Sequence, residues 1–241
     1  MDDQRQRAVH SVNIGWRDLP LAARLQDACR LPVTLGHDVR AGALAENTIG
    51  AARGSRNTLF VPVGTGVSAA VICDGRLLHA DGYVGELGHV VVEPGGRQCA
   101  CGSRGCLETV ASAAAIQEGY AARCGRPIDG SAEVADRVSR GDADARTVWD
   151  RAVAALATAL ATATTMLAPE LIVIGGGLAE AGELLLRPLR ARLDEALTFQ
   201  RRPLLVRAAL GDRSGCLGAG LSAWEATGRP AVSEEDGVRT S

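Results

Sequence analysis

The sequence predicts an α/β fold in which one mixed sheet is covered by helices on both faces. Two observations predict this fold. Between residues 58 and 79, three strand candidates follow one another closely and are joined by short turns of glycine, threonine and aspartate. After residue 107, helical stretches alternate with two short apolar strand candidates. Adjacent antiparallel strands followed by alternating helices and strands build a mixed sheet whose two faces are both buried.

Six apolar runs are predicted to be strands. Asp74-Gly75 is a strong hairpin signal between two of them, and Gly64-Thr65-Gly66 joins another two. The run 171–174 is apolar at every position, which is typical of a buried strand. The predicted strands cover residues 31–35, 58–63, 67–73, 76–79, 171–174 and 204–207.

Six helices are predicted from composition and from the spacing of the larger side chains. Alanine, leucine and glutamate dominate residues 39–52, which favours a helix there. Residues 152–168 carry no charge, but their bulky side chains are few and recur every three or four positions, which indicates a helix packed in a globular core rather than a membrane span. The predicted helices cover residues 39–52, 107–124, 131–140, 143–167, 180–197 and 216–226.

From residue 58 onward, the order of elements is that of one half of an actin-like, ribonuclease-H-like ATPase. Residues 31–52 supply one strand and one helix of a preceding half. We therefore expect a remnant of a first half-domain at 1–56 and a complete half-domain at 57–228. The second unit carries an insertion at 86–108, and a polar tail follows at 229–241.

Composition excludes several classes of function. The 241 residues carry a net charge of -2, which gives no reason to expect nucleic acid or an anionic membrane as a partner. The first residues are polar and lack the apolar segment of a signal peptide. Seven cysteines, an odd number, argue against a secreted disulfide framework. We expect a protein of the reducing cytoplasm.

A histidine and three cysteines between residues 86 and 108 predict a metal site. Thiolate and imidazole are ligands that zinc prefers, and four protein ligands make a closed, structural site. Nearby glycines let the backbone turn tightly enough to bring the sulfurs together. The alternative is a loop with scattered, reduced cysteines. The predicted ligands are His89, Cys99, Cys101 and Cys106.

Two glycine-rich turns are candidate phosphate sites. Gly64-Thr65-Gly66 lies between two predicted strands, where backbone N–H groups and a threonine hydroxyl can approach a phosphate. Gly175-Gly176-Gly177 follows a buried strand and precedes a helix, a place where a nucleotide can lie against a helix N-terminus. The alternatives are an ordinary hairpin and an ordinary strand-to-helix turn.

Three carboxylates and two histidines complete the candidate site. Asp38 opens a predicted helix and is either its N-cap or a general base, and His37 beside it is either a donor to substrate or a surface residue. Glu86 and Glu108 flank the predicted zinc ligands; paired carboxylates suit the neighbouring hydroxyls of a sugar, and the alternative is solvated loop charge. A metal-bound His89 keeps a second ring nitrogen for a carboxylate or a substrate hydroxyl.

Together these residues resemble the ROK family of repressors, open reading frames and kinases, over about residues 10–226. The segment from Glu86 to Glu108, with its Gly-His pair and its Cys-x-Cys-Gly-x-x-Gly-Cys run, is similar to that family's zinc-and-sugar motif. The resemblance implies a glucokinase-like hexose kinase that transfers the γ-phosphate of ATP to a sugar 6-hydroxyl. Asp38 would be the base, and His37, Glu86, His89 and Glu108 would bind the sugar. ATP with Mg²⁺ would lie between residues 64–66 and 175–177, zinc would be structural, and the chain would form a dimer or tetramer.

Three departures from the family pattern leave alternatives open. The family's Asp-x-Gly-Gly-Thr phosphate loop is absent from these residues, His37 stands where the family usually has asparagine, and Val67-Ser-Ala-Ala70 replaces a glycine-rich continuation. Relatives of this kind carry further residues ahead of the first one here. A sugar-binding regulator of the same family and an inactive, truncated remnant therefore stay as alternatives to the kinase.

Overall fold

The computed structural model describes residues 6–11 and 15–228; the predicted polar tail at 229–241 lies outside the described residues. The strands are β1 (Ala8–Ser11), β2 (Trp16–Leu19), β3 (Thr58–Pro62), β4 (Ala70–Cys73), β5 (Arg76–Leu77), β6 (Leu171–Gly175) and β7 (Leu204–Arg207). The helices are α1 (Leu21–Cys29), α2 (Asp38–Ile49), α3 (Glu108–Ala111), α4 (Ala113–Cys124), α5 (Gly130–Ser139), α6 (Ala143–Leu167), α7 (Glu183–Ala196) and α8 (Ser214–Ala226).

The main sheet has five strands in the order β5-β4-β3-β6-β7. Strand β4 runs antiparallel to both β3 and β5, whereas β6 is parallel to β3 and β7 is parallel to β6. This is the predicted mixed sheet, and β6 is buried at all five positions, as its apolar run predicted. Strands β1 and β2 form a separate antiparallel pair.

Side chains alternate between the two faces of the central strands. Phe60 and Val173 point to the face that carries α2, where they join a core cluster with Ala43 of that helix. Leu59 and Ile172, one position earlier, point to the opposite face and join the larger core. That core includes the buried side chains of α4 to α7, so helices cover both faces, as a mixed sheet of this kind requires.

Helix α6 spans the predicted residues 143–167. Asp142 caps its N-terminus by accepting the N–H of Ala145 at 3.0 Å, and Ala168 ends it in the left-handed conformation. Trp149, Leu156 and Leu160 are buried in the core, whereas Met166 and Leu167 at the C-terminal end of the helix are exposed. Within residues 6–11 and 15–228, none of the helices is long and apolar enough to cross a membrane.

The structure corrects three of the predicted strands. Residues 31–35 form no strand, because none of the described strands pairs with them. Strand β4 begins at Ala70 and not at residue 67, because the N–H groups of Val67 and Ala69 bond to the carboxylate of Glu108 and to the carbonyl of Gly85. The third strand of the meander ends at Leu77 rather than at residue 79.

The predicted helix at 107–124 is also wrong as a single element. Ser112 takes an extended conformation and caps α4 by accepting the N–H of Ala115, so the helix divides into α3 and α4. At the other end of the fold, Gly182 adopts a φ of 55°, and α7 therefore begins at Glu183 after a short 3₁₀ turn. The pair β1–β2 and helix α1 had no counterpart in the sequence prediction.

Candidate functional site

The predicted zinc ligands lie together. One ligand atom from each of His89, Cys99, Cys101 and Cys106 falls within 4.8 Å of all the others. Cys101 Sγ and Cys106 Sγ are 3.7 Å apart, and Cys99 Sγ is 3.7 Å from His89 Nδ1. A tetrahedral ion with Zn–S bonds of about 2.3 Å would hold its ligand atoms roughly 3.7 Å apart. The four side chains therefore fit a closed zinc site.

Backbone turns, rather than regular structure, bring these ligands together. Gly105 has a φ of +77°, and a Cβ there would lie 1.7 Å from the carbonyl oxygen of Glu93. That close approach lets the Gly105 carbonyl accept the N–H groups of Val92 and Glu93 at 2.9 and 3.1 Å. A side chain at Gly105 would push apart the two halves of residues 86–108, which we call the metal segment.

The cluster perturbs two of its own thiols in opposite directions. Burial, together with the neighbouring sulfurs, raises the pKa of Cys106 to about 11, whereas a hydrogen bond from the backbone of Ser103 lowers the pKa of Cys101. Zinc binds thiolates, so a bound divalent cation would have to displace the Cys106 proton. The metal affinity of this site is therefore expected to rise with pH.

Two surface ion pairs attach the metal segment to the helices below it. Arg151 of α6 donates through Nε to Glu93 at 2.6 Å, and this guanidinium holds the pKa of the Glu93 carboxyl below its usual range. Arg97 donates to Glu118 of α4 at 2.8 Å. Exposed pairs of this kind contribute at most about 1 kcal/mol each, so they orient the segment more than they stabilise it.

His89 presents its two ring nitrogens to different neighbours. Nδ1 faces the sulfur of Cys99, and Nε2 lies 3.8 Å from the carboxylate of Glu86. The second nitrogen is thus the one turned away from the sulfur cluster. A ligand hydroxyl that reached Nε2 would meet the Glu86 carboxylate at the same place.

The two glycine turns lie side by side at the ends of β3 and β6. Val63 donates its N–H to the Gly175 carbonyl at 2.9 Å and accepts the N–H of Leu178 at 3.0 Å. Gly176 has a φ of +74°, and a Cβ there would lie 2.4 Å from the Val63 carbonyl oxygen. A Cβ at Gly64 or at Gly177 would meet nothing within 4 Å. Packing within the chain does not require glycine at those two positions, and their backbones are open to a ligand.

Glu108 joins the metal segment to this edge of the sheet. It is the first residue of α3, and its Oε2 accepts the N–H of Val67 at 2.9 Å. A Cβ on Gly66 would lie 2.6 Å from the same oxygen, so glycine is needed for the contact. Thr65, at the tip of the turn, is exposed. The carboxylate of Glu108 is thus engaged with the glycine turn in the described chain.

Asp38 opens helix α2 as predicted, but the capping residue is His37. Its Nδ1 accepts the N–H of Val39 at 3.3 Å, and Asp38 Oδ1 accepts the same N–H at 2.9 Å. The Asp38 side chain is 87% exposed, so its carboxylate is available to a ligand. Asp38 borders a cleft of about 850 Å³ whose other walls are the segment 31–36, helix α8 and His79.

The structure thus brings three of the predicted groups together: the four predicted zinc ligands, His89 with Glu86, and Glu108 with the glycine turn at 64–66. The Asp38 carboxylate contacts Val39 and His37 at its own helix terminus and not the metal segment. Sequence reasoning missed Glu46, a carboxylate that is fully buried in α2. Its spacing of three and four residues from Ala43 and Gly42 places it on the buried face of that helix, which is the signal that could have identified it.

Comparisons with known proteins agree on one family. The model of the ROK family matches residues 1–225. A glucokinase of Halalkalibacterium halodurans is 38% identical over 228 residues, which are 88% of this chain and 69% of that protein. A ROK hexokinase of Thermus thermophilus superimposes with a TM-score of 0.86 at 35% identity, over 95% of this chain and 76% of the other. A ROK family glucokinase of Streptomyces griseus, in complex with glucose and AMPPNP, gives a TM-score of 0.84 at 28% identity, over 93% and 78%. The predicted actin-like fold is therefore confirmed.

Proposed function

Because the chain belongs to the ROK family, we propose that it is an ATP-dependent hexose kinase of glucokinase type, which transfers the γ-phosphate of ATP to the 6-hydroxyl of a sugar. The observation that carries the proposal is the end of the sheet where the two glycine turns meet at Val63 and where Glu108 accepts the N–H of Val67, beside the first turn. The glucokinase of Halalkalibacterium halodurans is similar to this chain along most of its length. The Streptomyces griseus glucokinase binds glucose and AMPPNP.

In this proposal, Asp38 is the general base that takes the proton from the sugar 6-hydroxyl. Its exposure to the cleft supports that role, because a base must reach the proton that it removes. His37, Glu86, His89 and Glu108 bind the remaining hydroxyls. Glu86 beside His89 Nε2 offers an acceptor and a ring nitrogen for one hydroxyl. Catalysis in phosphoryl transfer is mainly positioning and charge stabilisation.

The nucleotide is proposed to lie along residues 64–66 and 175–177. The open space beside Gly64 and Gly177 supports close approach of phosphates to the backbone. A smaller pocket of about 150 Å³ begins at Gly177 and continues between α5 and residues 178–181, which suits the base of ATP. Mg²⁺ bound with ATP would neutralise charge on the transferred phosphate.

Zinc is proposed as a structural ion held by His89, Cys99, Cys101 and Cys106. The chemistry that it supplies is the cross-linking of four side chains, without a part in phosphoryl transfer. Free cysteines throughout the described chain support a reducing, cytoplasmic setting. We also propose that the chain forms a dimer or tetramer. Its half-domain is proposed to begin after residue 56 and to end at residue 228.

The experiment is ATP-dependent phosphorylation by the purified chain with a hexose panel that includes glucose, N-acetylglucosamine and 6-deoxyglucose. We expect ADP release with one of the complete hexoses. No ADP release is expected with 6-deoxyglucose, which lacks the accepting hydroxyl. Absence of turnover with every sugar, while sugar binding is detected calorimetrically, would refute the kinase and favour a sugar-binding protein.

A further inference from the structure

Glu46 is a buried carboxylate with partners in two segments, one directly after its own helix and one more than 160 residues away. Its Oε2 accepts the N–H groups of Ala51 at 2.8 Å and of Ala209 at 3.1 Å, and its Oε1 accepts the N–H of Leu210 at 2.8 Å. The side chain is fully buried. A carboxylate is costly to bury, and three amide donors are the kind of compensation that such burial requires.

Two of these donors, Ala209 and Leu210, follow strand β7 at the end of the sheet that carries Gly175–Gly177. Ala208 donates its N–H to the Ile174 carbonyl at 2.8 Å, and the Cβ of Ala208 lies 3.5 Å from the position that a Cβ on Gly175 would take. Ala209 and Leu210 come directly after Ala208. Glu46 therefore connects helix α2 to the neighbours of Gly175–Gly177.

The same helix begins at Asp38, about 12 Å away along its axis. A helix transmits such a constraint because its backbone is stiff over two turns. Close contact with α8 holds the intervening part, since a Cβ on Gly218 would lie 1.7 Å from the carbonyl oxygen of Ala41. The position of the N-terminus of α2 thus depends on the contacts along the whole helix. Glu46 supplies the contacts near its C-terminal end.

We infer that Glu46 is a positioning residue, which fixes α2, and with it Asp38, relative to the sheet edge that carries Gly175–Gly177. This inference rests on the proposed kinase function, in which Asp38 is the base and that edge holds ATP. Phosphoryl transfer depends on the alignment of these two parts, and a misplacement of about 1 Å can cost up to about 100-fold in rate.

The test compares Glu46→Gln and Glu46→Ala with the wild-type chain. Glutamine keeps one acceptor oxygen and adds donors, so at least one backbone amide loses its partner, and alanine removes all three acceptors. We expect kcat to fall in the order wild type, Gln, Ala, by about 10- to 100-fold for alanine. KM for glucose and for ATP should stay within about twofold, because neither binding site loses a contact.

Glu170→Gln is the matched control. Glu170 is a carboxylate that accepts from Asn57 Nδ2 at 3.1 Å and from the Arg56 N–H at 3.4 Å, and it precedes β6, at the end of that strand opposite Gly175. We expect this variant to keep the wild-type kcat. An equal loss of kcat in the Glu170 variant would overturn the inference, because it would show a general effect of instability.

Amide hydrogen exchange supplies a readout that does not depend on turnover. In Glu46→Gln, the amides of Ala209 and Leu210 should exchange faster, and so should that of Ala41 in α2. Faster exchange at Ala209 and Leu210 with an unchanged kcat, or with undiminished protection of Ala41, would overturn the positioning role. Absence of turnover in the wild-type chain would instead refute the proposed kinase, and the exchange at Ala41 would still decide whether Glu46 fixes the helix.

Discussion

Gly218→Ala is the substitution with the clearest structural consequence. Gly218 is buried within α8, and an added Cβ would lie 1.7 Å from the carbonyl oxygen of Ala41 and 2.3 Å from its carbonyl carbon. These are backbone atoms of α2, so no side-chain rotation can relieve the contact. The two helices must separate for the methyl group to fit.

The required movement follows from the same distances. Ordinary contact begins at about 3.4 Å, so α2 and α8 would have to move apart by roughly 1.7 Å along this direction. Overpacking of this kind costs about 1–3 kcal/mol. Gly220→Ala, in the same helix, meets nothing within 4 Å and gains about 1 kcal/mol in helix propensity. Alanine at position 218 gains the same helix propensity, so we expect the two variants to differ by the overpacking cost alone, about 1–3 kcal/mol in the free energy of unfolding.

Urea denaturation of both variants, followed by circular dichroism, measures this difference. Kinetics measured on the same samples should show a lower kcat for Gly218→Ala alone, because α2 carries Asp38. Equal midpoints for the two variants would refute the reasoning, since it would mean that the helices do not approach each other as closely as described. A large loss of stability in Gly220→Ala would refute it as well.

Three further predictions concern the metal, the base and acid stability. Cys101→Ser should lower zinc affinity at least about 100-fold by competition with a chelator, whereas Cys73→Ser, outside the cluster, should not. Asp38→Asn should lower kcat by about 10²- to 10⁴-fold with glucose binding unchanged by calorimetry, and normal turnover would exclude Asp38 as the base. Arg151 lowers the pKa of Glu93 from 4.5, so this pair stabilises the fold above that pH and the contribution is lost as the pH falls through the folded-state pKa. Glu93→Gln should therefore reduce the acid dependence of urea midpoints below about pH 4.5, and an unchanged dependence would contradict the assignment.

Local sequence determined the elements that were predicted correctly. Helix α6 begins after the capping Asp142 and ends at Ala168, and both signals lie within or beside the helix. Strand β7 was predicted at its observed bounds because a short apolar run defines it. The clustering of the four predicted zinc ligands was predictable for the same reason, since all four lie within a single short segment.

Contacts between distant residues explain the failures. Residues 31–35 are apolar, but a strand exists only where a partner pairs with it, and pairing is not a local property. The sequence predicts a strand at Val67, but the N–H of this residue donates to the carboxylate of Glu108, 41 residues later, instead of to a neighbouring strand. Glu46 reads as an ordinary polar residue of a helix, because the amides that it binds at Ala209 and Leu210 are 163 and 164 residues away.

The burial pattern of residues 91–104 supports the proposed zinc ion. Between residues 91 and 104, Cys99 is the one buried side chain. Burial of apolar surface is the main stabilising contribution in a fold, and this stretch buries too little to order itself. The ion pairs from Arg97 and Arg151 lie at the surface and contribute little. A zinc ion would replace the missing core with four bonds, and it would fix His89 and the Glu108 end of the segment in one step.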